Sequence, residues 1–305
     1  MKKSKENKMK NKWRIPFLIF CIIPPLIQFF VFYVYTNLSS ILMAFTDRHG
    51  AIGMENFLRF FDEFSSATSD IRLAFRNTFL TFGLIIVTYP LKVLVSYFIY
   101  KKVPFYGFYR IIFFLPSIIF SVALNIIFTH IIGPEGALAQ WIGDAMKLGY
   151  SPELLSDSRF ANAVVLSQLM WLSIPGDIII WGGTFARIPT EVLESGYIDG
   201  TTWWTEFTRL IVPLVWPTVS LQIIMNFCSI FSATGNVFLL TKGDYGTMTL
   251  SAWMYRYLVD NAGARYSSNA YNYLAAVGLM LTIVAILIAT FVRKIMDKHF
   301  QEVEF

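Results

Sequence analysis

Asp177 and Lys92 are formal charges set deep inside long apolar runs, with Gln168, Trp171 and Ser173 close to Asp177 in sequence. A later run carries Gln222, Asn226, Ser229, Ser232, Thr234 and Asn236. A charge at mid-membrane depth costs about 2.5–3.5 kcal/mol on insertion scales, so each needs a partner or a wet cavity. Lys92 has a stem long enough to snorkel to the interface, with pairing to Asp177 as the alternative; Asp177 cannot reach so far and is the better candidate for a functional charge. The amides and hydroxyls either glue helices together, at about 0.6 kcal/mol per hydrogen bond, or line a path for a polar solute. Bond-making chemistry finds no support. His49, His130 and His299 lack a His or Cys at zinc-ligand spacing, and Cys21 and Cys228 lie in apolar runs, where neither a disulfide framework nor a thiolate site is supported. No Gly-x-x-x-x-Gly-Lys-Ser/Thr occurs, so any nucleotide hydrolysis belongs to a partner.

One charged stretch between apolar runs has its own design. From Ile188 to Pro217 the chain reads I-P-T-E-V-L-E-S-G-Y-I-D-G-T-T-W-W-T-E-F-T-R-L-I-V-P-L-V-W-P. Pro189 and Thr190 start a helix with Glu191 and Glu194 expected in its first turn, where carboxylates suit the positive end of the helix dipole. Asp199 and Gly200 end it, because glycine reverses the chain in the left-handed conformation without a steric penalty. Thr201 or Thr202 then caps a second helix carrying Trp203, Trp204 and Phe207. The prediction is a helical hairpin with an aromatic face.

These elements sit in a chain that is 55% hydrophobic and 17% aromatic with 15% charge, which excludes an ordinary soluble domain. Residues 1–14 form a basic arm, Lys2 to Arg14 against Glu6 alone. The remainder, 15–305, reads as an all-α membrane domain with spans over 15–35, 77–100, 109–132, 161–185, 210–240 and 272–292, each near the ~20 residues that cross ~30 Å of hydrocarbon. The first span is read as retained and kinked at Pro24-Pro25. Lys and Arg gather on the side of the arm, with Lys101, Lys102, Arg110, Arg187, Arg209, Arg293, Lys294 and Lys298; the positive-inside rule makes that side cytoplasmic, with both termini and the hairpin. Residues 136–158 are mildly amphipathic and expected on the outer surface.

The hairpin resembles the coupling (EAA) loop of permease subunits in binding-protein-dependent ABC importers: Glu194, Gly200, Phe207, Pro213 and Pro217 fall in the family's register. Ser195 and Gly196 stand where the family has Ala-Ala, and Thr201 replaces the Ala that usually follows Asp199-Gly200. Both replacements are small, although Gly within a helix costs roughly 1 kcal/mol against Ala. Further stretches, G-M-E-N-F-L-R-F-F from Gly53, R-N-T-F from Arg76, Y-R-I-I-F-F-L-P from Tyr109 and W-L-S-I-P from Trp171, look like the carbohydrate, maltose-type branch in the expected order. The resemblance implies a type I permease fold of six transmembrane helices in a bacterial cell membrane, moving a sugar or oligosaccharide by alternating access. It also implies a second permease subunit, two ATP-binding subunits that bind the ATP and Mg, and an extracellular solute-binding protein, with no cofactor or catalysis in this chain. Glu194, Ser195, Gly196, Asp199, Gly200 and Phe207, within a loop spanning about 188–209, would couple to the ATPases. Trp171, Leu172, Ser173, Gly176 and Asn226 occupy positions that line the sugar path in that branch, and Asp177 and Ser229 join them as polar neighbours. In such a path Trp171 would offer a flat face to sugar C–H surface. An importer for amino acids or polyamines, and an ATP-independent carrier or channel, are the alternative classes.

Overall fold

The computed structural model describes residues 16–66, 70–147, 149–233, 235–261 and 267–299; the basic arm at 1–14 and Thr234 lie outside the described residues. The described residues contain helices and one isolated antiparallel bridge, Thr46 to Ile52. Five stretches are long and apolar enough to cross a membrane, Pro16–Ala44, Asp70–Tyr100, Ser121–Ala145, Ala161–Phe185 and Asn269–Lys298. A bent pair, Trp203–Leu214 with Trp216–Cys228, makes up to six.

The chain divides into two compact units, Met1–Asp62 with Leu258–Met280, and Glu63–Tyr257 with Leu281–Phe305. In the first, α1 (Pro16–Ala44) runs through Pro24-Pro25 as helix, and the expected irregularity appears instead as a π-helical stretch at Phe29–Tyr35. A wider turn of this kind is a common way for a helix to absorb a break in its hydrogen-bond ladder. The loop after it holds a helix, α2 (Glu55–Ser65), within what the sequence suggested was a polar connection. The Asn56 amide donates to the Ala44 and Thr46 carbonyls at 3.1 and 2.9 Å, and Phe45 packs on Phe57 at 5.1 Å.

The second unit carries α3 (Asp70–Tyr100), α4 (Tyr106–Ile118), α5 (Ser121–Ile132), α6 (Ala137–Ala145), α7 (Ala161–Phe185), α8 (Thr190–Ile198), α9 (Trp203–Leu214), α10 (Trp216–Cys228) and α11 (Val237–Leu240). The helices α12 (Leu250–Asn261) and α13 (Ser267–His299) follow, each contributing residues to both units. Two expected spans are not continuous. The one placed at 109–132 breaks between α4 and α5, where Ile119 and Phe120 have extended ψ values of 136° and 131°. Pro116 lies just before the break, and a ring without an N–H weakens the ladder there. The one placed at 210–240 bends by 73° between α9 and α10, at Val215 between Pro213 and Pro217. Beyond Cys228 it continues only as a 3₁₀ turn at Ile230–Ser232 and the short α11.

The main core of this unit is aromatic and lies at the hairpin end: Tyr97, Trp181, Phe185, Phe207 and Ile211 are buried together with Tyr89, Val93, Ile188, Val215 and Val219. Asn77 and Thr78 are sealed by side-chain bonds. The Asn77 amide donates to the Gly246 and Met248 carbonyls at 2.7 and 2.8 Å, and Thr78 Oγ1 accepts the Leu250 N–H at 2.8 Å. The segment at 136–158 forms α6 and a loop whose Leu154 is buried with Ile132, Ala139 and Val164.

Candidate functional site

The hairpin is built as the sequence predicts, and its turn explains the two small-residue departures. Helix α8 ends at Ile198, Asp199 caps it, and Gly200 follows with φ of +68°. The Gly200 N–H donates to the Tyr197 carbonyl at 3.1 Å and the Thr201 N–H to the Gly196 carbonyl at 3.1 Å, the pair of bonds of a Schellman ending. Thr201 Oγ1 adds a third, donating to the same Gly196 oxygen at 2.9 Å. A Cβ on Gly196 would stand 2.8 Å from Leu210 Cδ1 and 3.3 Å from Thr201 Oγ1. Gly196 and Thr201 are therefore one feature: the bare helix face admits both the leucine of α9 and the threonine that ties off the turn. Thr202 caps α9, its hydroxyl accepting the Thr205 N–H at 3.3 Å. Glu191 alone occupies the first turn of α8; Glu194 lies in the second, because the helix begins at Thr190.

Phe207 faces inward, 5.1 Å from the Tyr97 ring, in the π-helical part of α9 at Glu206–Ile211. Glu194, Ser195, Asp199 and Gly200 face outward beside Tyr197, Ile198, Trp203 and Trp204, of which Ile198 is 85% exposed. The predicted coupling residues thus divide into a presented surface and, in Gly196 and Phe207, the internal packing that shapes it. Sequence reasoning missed what fixes this surface. The Lys101 ammonium, just past the end of α3, bonds both Glu206 carboxylate oxygens at 2.9 and 3.1 Å and the Tyr197 hydroxyl at 2.9 Å, so one cation joins both arms of the hairpin. Burial works to lower the Lys101 pKa, but the hydrogen bonds to Glu206 and Tyr197 outweigh it and hold the group above its ordinary value. The one available signal was Glu206 itself, an acid placed between aromatic and apolar residues.

The predicted path residues separate into three environments. Leu172 and Ser173 line a cavity of about 420 Å³ beside the α4/α5 break, with Ser117, Ser121 and Asn236. Asn226 and Ser229 line a second of about 260 Å³, and Gly235 borders both. The Ser173 hydroxyl donates to the Met170 carbonyl at 3.0 Å, Ser229 to Met225 at 3.1 Å and the Asn226 amide to Gln222 at 2.9 Å. The hydroxyl donors of Ser173 and Ser229 and one of the two N–H donors of Asn226 are spent within their own helices, which leaves oxygen lone pairs on all three side chains. Gln168 is fully buried and forms the wall behind: it donates to Asn125 Oδ1 at 2.9 Å and accepts from Asn236 at 3.2 Å. Trp171 stands outside both linings, stacked on Phe128 at 6.1 Å, and Gly176 is exposed with open space around it.

Asp177 is in the third environment. Its Oδ2 lies 2.9 Å from Lys92 Nζ, with the side chains 25% and 7% exposed. The snorkelling expected of Lys92 does not occur, because a carboxylate on the facing helix satisfies the ammonium where it stands. At the other end of the unit Asp157 accepts from Arg159 through side chain and backbone, which holds its carboxyl below the usual range. Among the described residues no cluster of three or more His, Cys, Asp or Glu is placed to hold a metal.

The chain as a whole has relatives among known proteins. The family model for the binding-protein-dependent transport system inner membrane component matches residues 93–302. The chain belongs to that family. This permease is 25% identical over 290 residues to the multiple sugar-binding transport system permease protein MsmF of Streptococcus mutans, covering 91% of this chain and 93% of that protein. It is 24% identical over 278 residues to the osmoprotective compounds uptake permease protein GgtC of Synechocystis, covering 88% and 95%. The crystal structure of a bacterial ABC transporter involved in the import of the acidic polysaccharide alginate shares the fold, with a TM-score of 0.78 at 20% identity over 96% of this chain and 100% of that one. The permease is a multi-pass inner-membrane component, and its helical fold is that of ABC importer permeases.

Proposed function

We propose that this permease moves a sugar or oligosaccharide into the cytoplasm, beside a second, homologous permease subunit, under the drive of two separate ATP-binding subunits that hold the nucleotide and Mg. The observation that carries the reading is the cavity at the α4/α5 break: about 420 Å³, within the ~300–1,000 Å³ of small-molecule sites, with apolar walls that include Ile119, Leu124, Leu169 and Leu172 and with Ser117, Ser121, Ser173 and Asn236 set among them. Discontinuous helices are where transporters place their solutes, since the break frees backbone groups inside the protein and not against lipid. Leu172, Ser173, Asn226 and Ser229 form the path in this reading. Trp171 and Gly176 border it, and Asp177 supports it through Lys92. Both termini and the hairpin face the cytoplasm, where Glu194, Ser195, Asp199 and Gly200 meet an ATPase and Gly196 and Phe207 shape the contact. An extracellular binding protein delivers the solute on the other face. The unit of transport is the six-helix domain after the basic arm.

The relative named for osmoprotective compounds favours a second reading in which the solute is a compact osmolyte. Uptake by the complete complex in proteoliposomes separates the two. With ATP inside and the binding protein outside, labelled oligosaccharide should accumulate and compatible solutes should fail to compete. Accumulation without ATP or binding protein would contradict the importer reading, and competition by an osmolyte alone would shift the solute class.

A further inference from the structure

At the end of α3 that seats the hairpin, a second kind of cavity opens between α3, α4 and α7. It holds about 380 Å³ and shares no lining residue with the cavity at the α4/α5 break. Lys102 and Arg110 line it with the Tyr106 ring, and Ile99, Phe114 and Ile179 form its apolar wall. No Asp or Glu contributes to the lining, and among the described residues neither cation has an ion-pair partner. The turn that leads into α4 sorts the two adjacent lysines. Lys102 has φ of +53° and Phe105 of +63°, in the left-handed region that side chains rarely adopt. Lys101 bonds Glu206 and Tyr197, while Lys102 lines this cavity.

Two unpaired cations at a membrane-span terminus, above an apolar wall, match an amphiphilic anion. A soluble anion would leave Ile99, Phe114 and Ile179 uncovered, and a protein partner would have to bring carboxylates to this point. We propose that this cavity is a site for an anionic phospholipid, its phosphate held by Lys102 and Arg110 and one acyl chain laid along Ile99, Phe114 and Ile179. Basic pockets between spans on the cytoplasmic side suit such headgroups. This placement beside the hairpin does not depend on which solute the permease carries.

The test uses the full chain assembled with its partner subunits in nanodiscs of phosphatidylcholine containing phosphatidylglycerol, and counts the lipid retained by native mass spectrometry. The parent complex should retain phosphatidylglycerol in preference to phosphatidylcholine. The double variant Lys102→Ala/Arg110→Ala should retain it roughly 30-fold more weakly, as two headgroup contacts predict. Lys294→Ala, which removes an exposed cation elsewhere, should match the parent. If the double variant does not assemble, Lys102→Gln alone should weaken retention about fivefold. Undiminished retention by the cavity variants would overturn the proposal. So would displacement of the lipid by inorganic phosphate, which would assign the site to a soluble anion. A Lys102→Cys complex that cross-links to a partner subunit and retains no lipid would assign the surface to protein and refute the lipid site.

Discussion

Lys92 and Lys101 are two and a half turns apart along the same stretch of chain, roughly 13 Å, and each meets a carboxylate at 2.9 Å. Their partners differ. Asp177 comes from another span, α7, so the inner pair ties two spans to each other; Glu206 comes from the hairpin, so the outer pair ties a span to the hairpin. Lys101 also bonds Tyr197 from the hairpin's other arm. The inner pair lies within the packed contact of α3 and α7, with Lys92 buried and Asp177 half-buried. The outer pair sits on a packed aromatic core of Tyr97, Phe185 and Phe207, suited to transmitting displacement without loss. One helix thus carries an ion pair between two spans in its middle and a packed aromatic core under the hairpin at its end.

The largest effect should come from breaking the outer pair. Glu206→Ala takes the carboxylate from Lys101, a partly buried cation that retains the Tyr197 hydroxyl, at a cost on the order of 2 kcal/mol for the lost charged hydrogen bonds. The hairpin at 188–209 should become protease-sensitive and the ATPase subunits should no longer co-purify. Full resistance and normal assembly would mean that the aromatic packing alone seats the hairpin. The inner pair gives the next largest effect. Asp177→Asn leaves the Lys92 ammonium without its counter-charge, so folded yield should drop, and Lys92→Met on that background should restore it. Normal yield with altered uptake would instead make Asp177 a solute contact. The smallest effect sharpens the picture of the hairpin end. Gly196→Ala gains helix propensity but crowds Leu210 and Thr201, whereas the same change in a Thr201→Ala chain has more room. A double-mutant cycle on thermal stability should therefore show a favourable coupling on the order of 0.5 kcal/mol. Strict additivity would uncouple the two positions.

Much of the hairpin end was legible, because its devices are local. A Pro start, Asp199-Gly200 at the turn and a Thr cap each act within a few residues, and the structure shows all three. The Lys101–Glu206 bond joins positions 105 residues apart and leaves no periodic trace. In the middle, hydropathy located the spans but not their breaks, since a window of apolar residues reads the same whether or not its backbone is continuous. Pro116, Pro213 and Pro217 were the signals, visible as motif positions while their effect on the helix ladder went unread. Polar residues in the spans were identified as a set. Which of them face a cavity depends on rotation about helices whose hydrophobic periodicity is weak, as expected when lipid and protein surfaces are both apolar. Trp171 accordingly turned out to stack on Phe128, Gln168 to be sealed, and Ser173 and Asn226 to line open space.

The most direct test of this account is the solute-stimulated ATPase rate of the reconstituted complex carrying Ser173→Phe. A ring at that position would occupy the cavity beside the α4/α5 break while leaving the Lys101–Glu206 seat untouched. The account predicts normal assembly and basal hydrolysis, with stimulation by the solute-loaded binding protein reduced about tenfold, as for a site deprived of roughly 1.4 kcal/mol of solute contact. Stimulation equal to the parent across the substrate range would show that the solute does not pass this cavity, and the path would have to be placed elsewhere in the membrane domain.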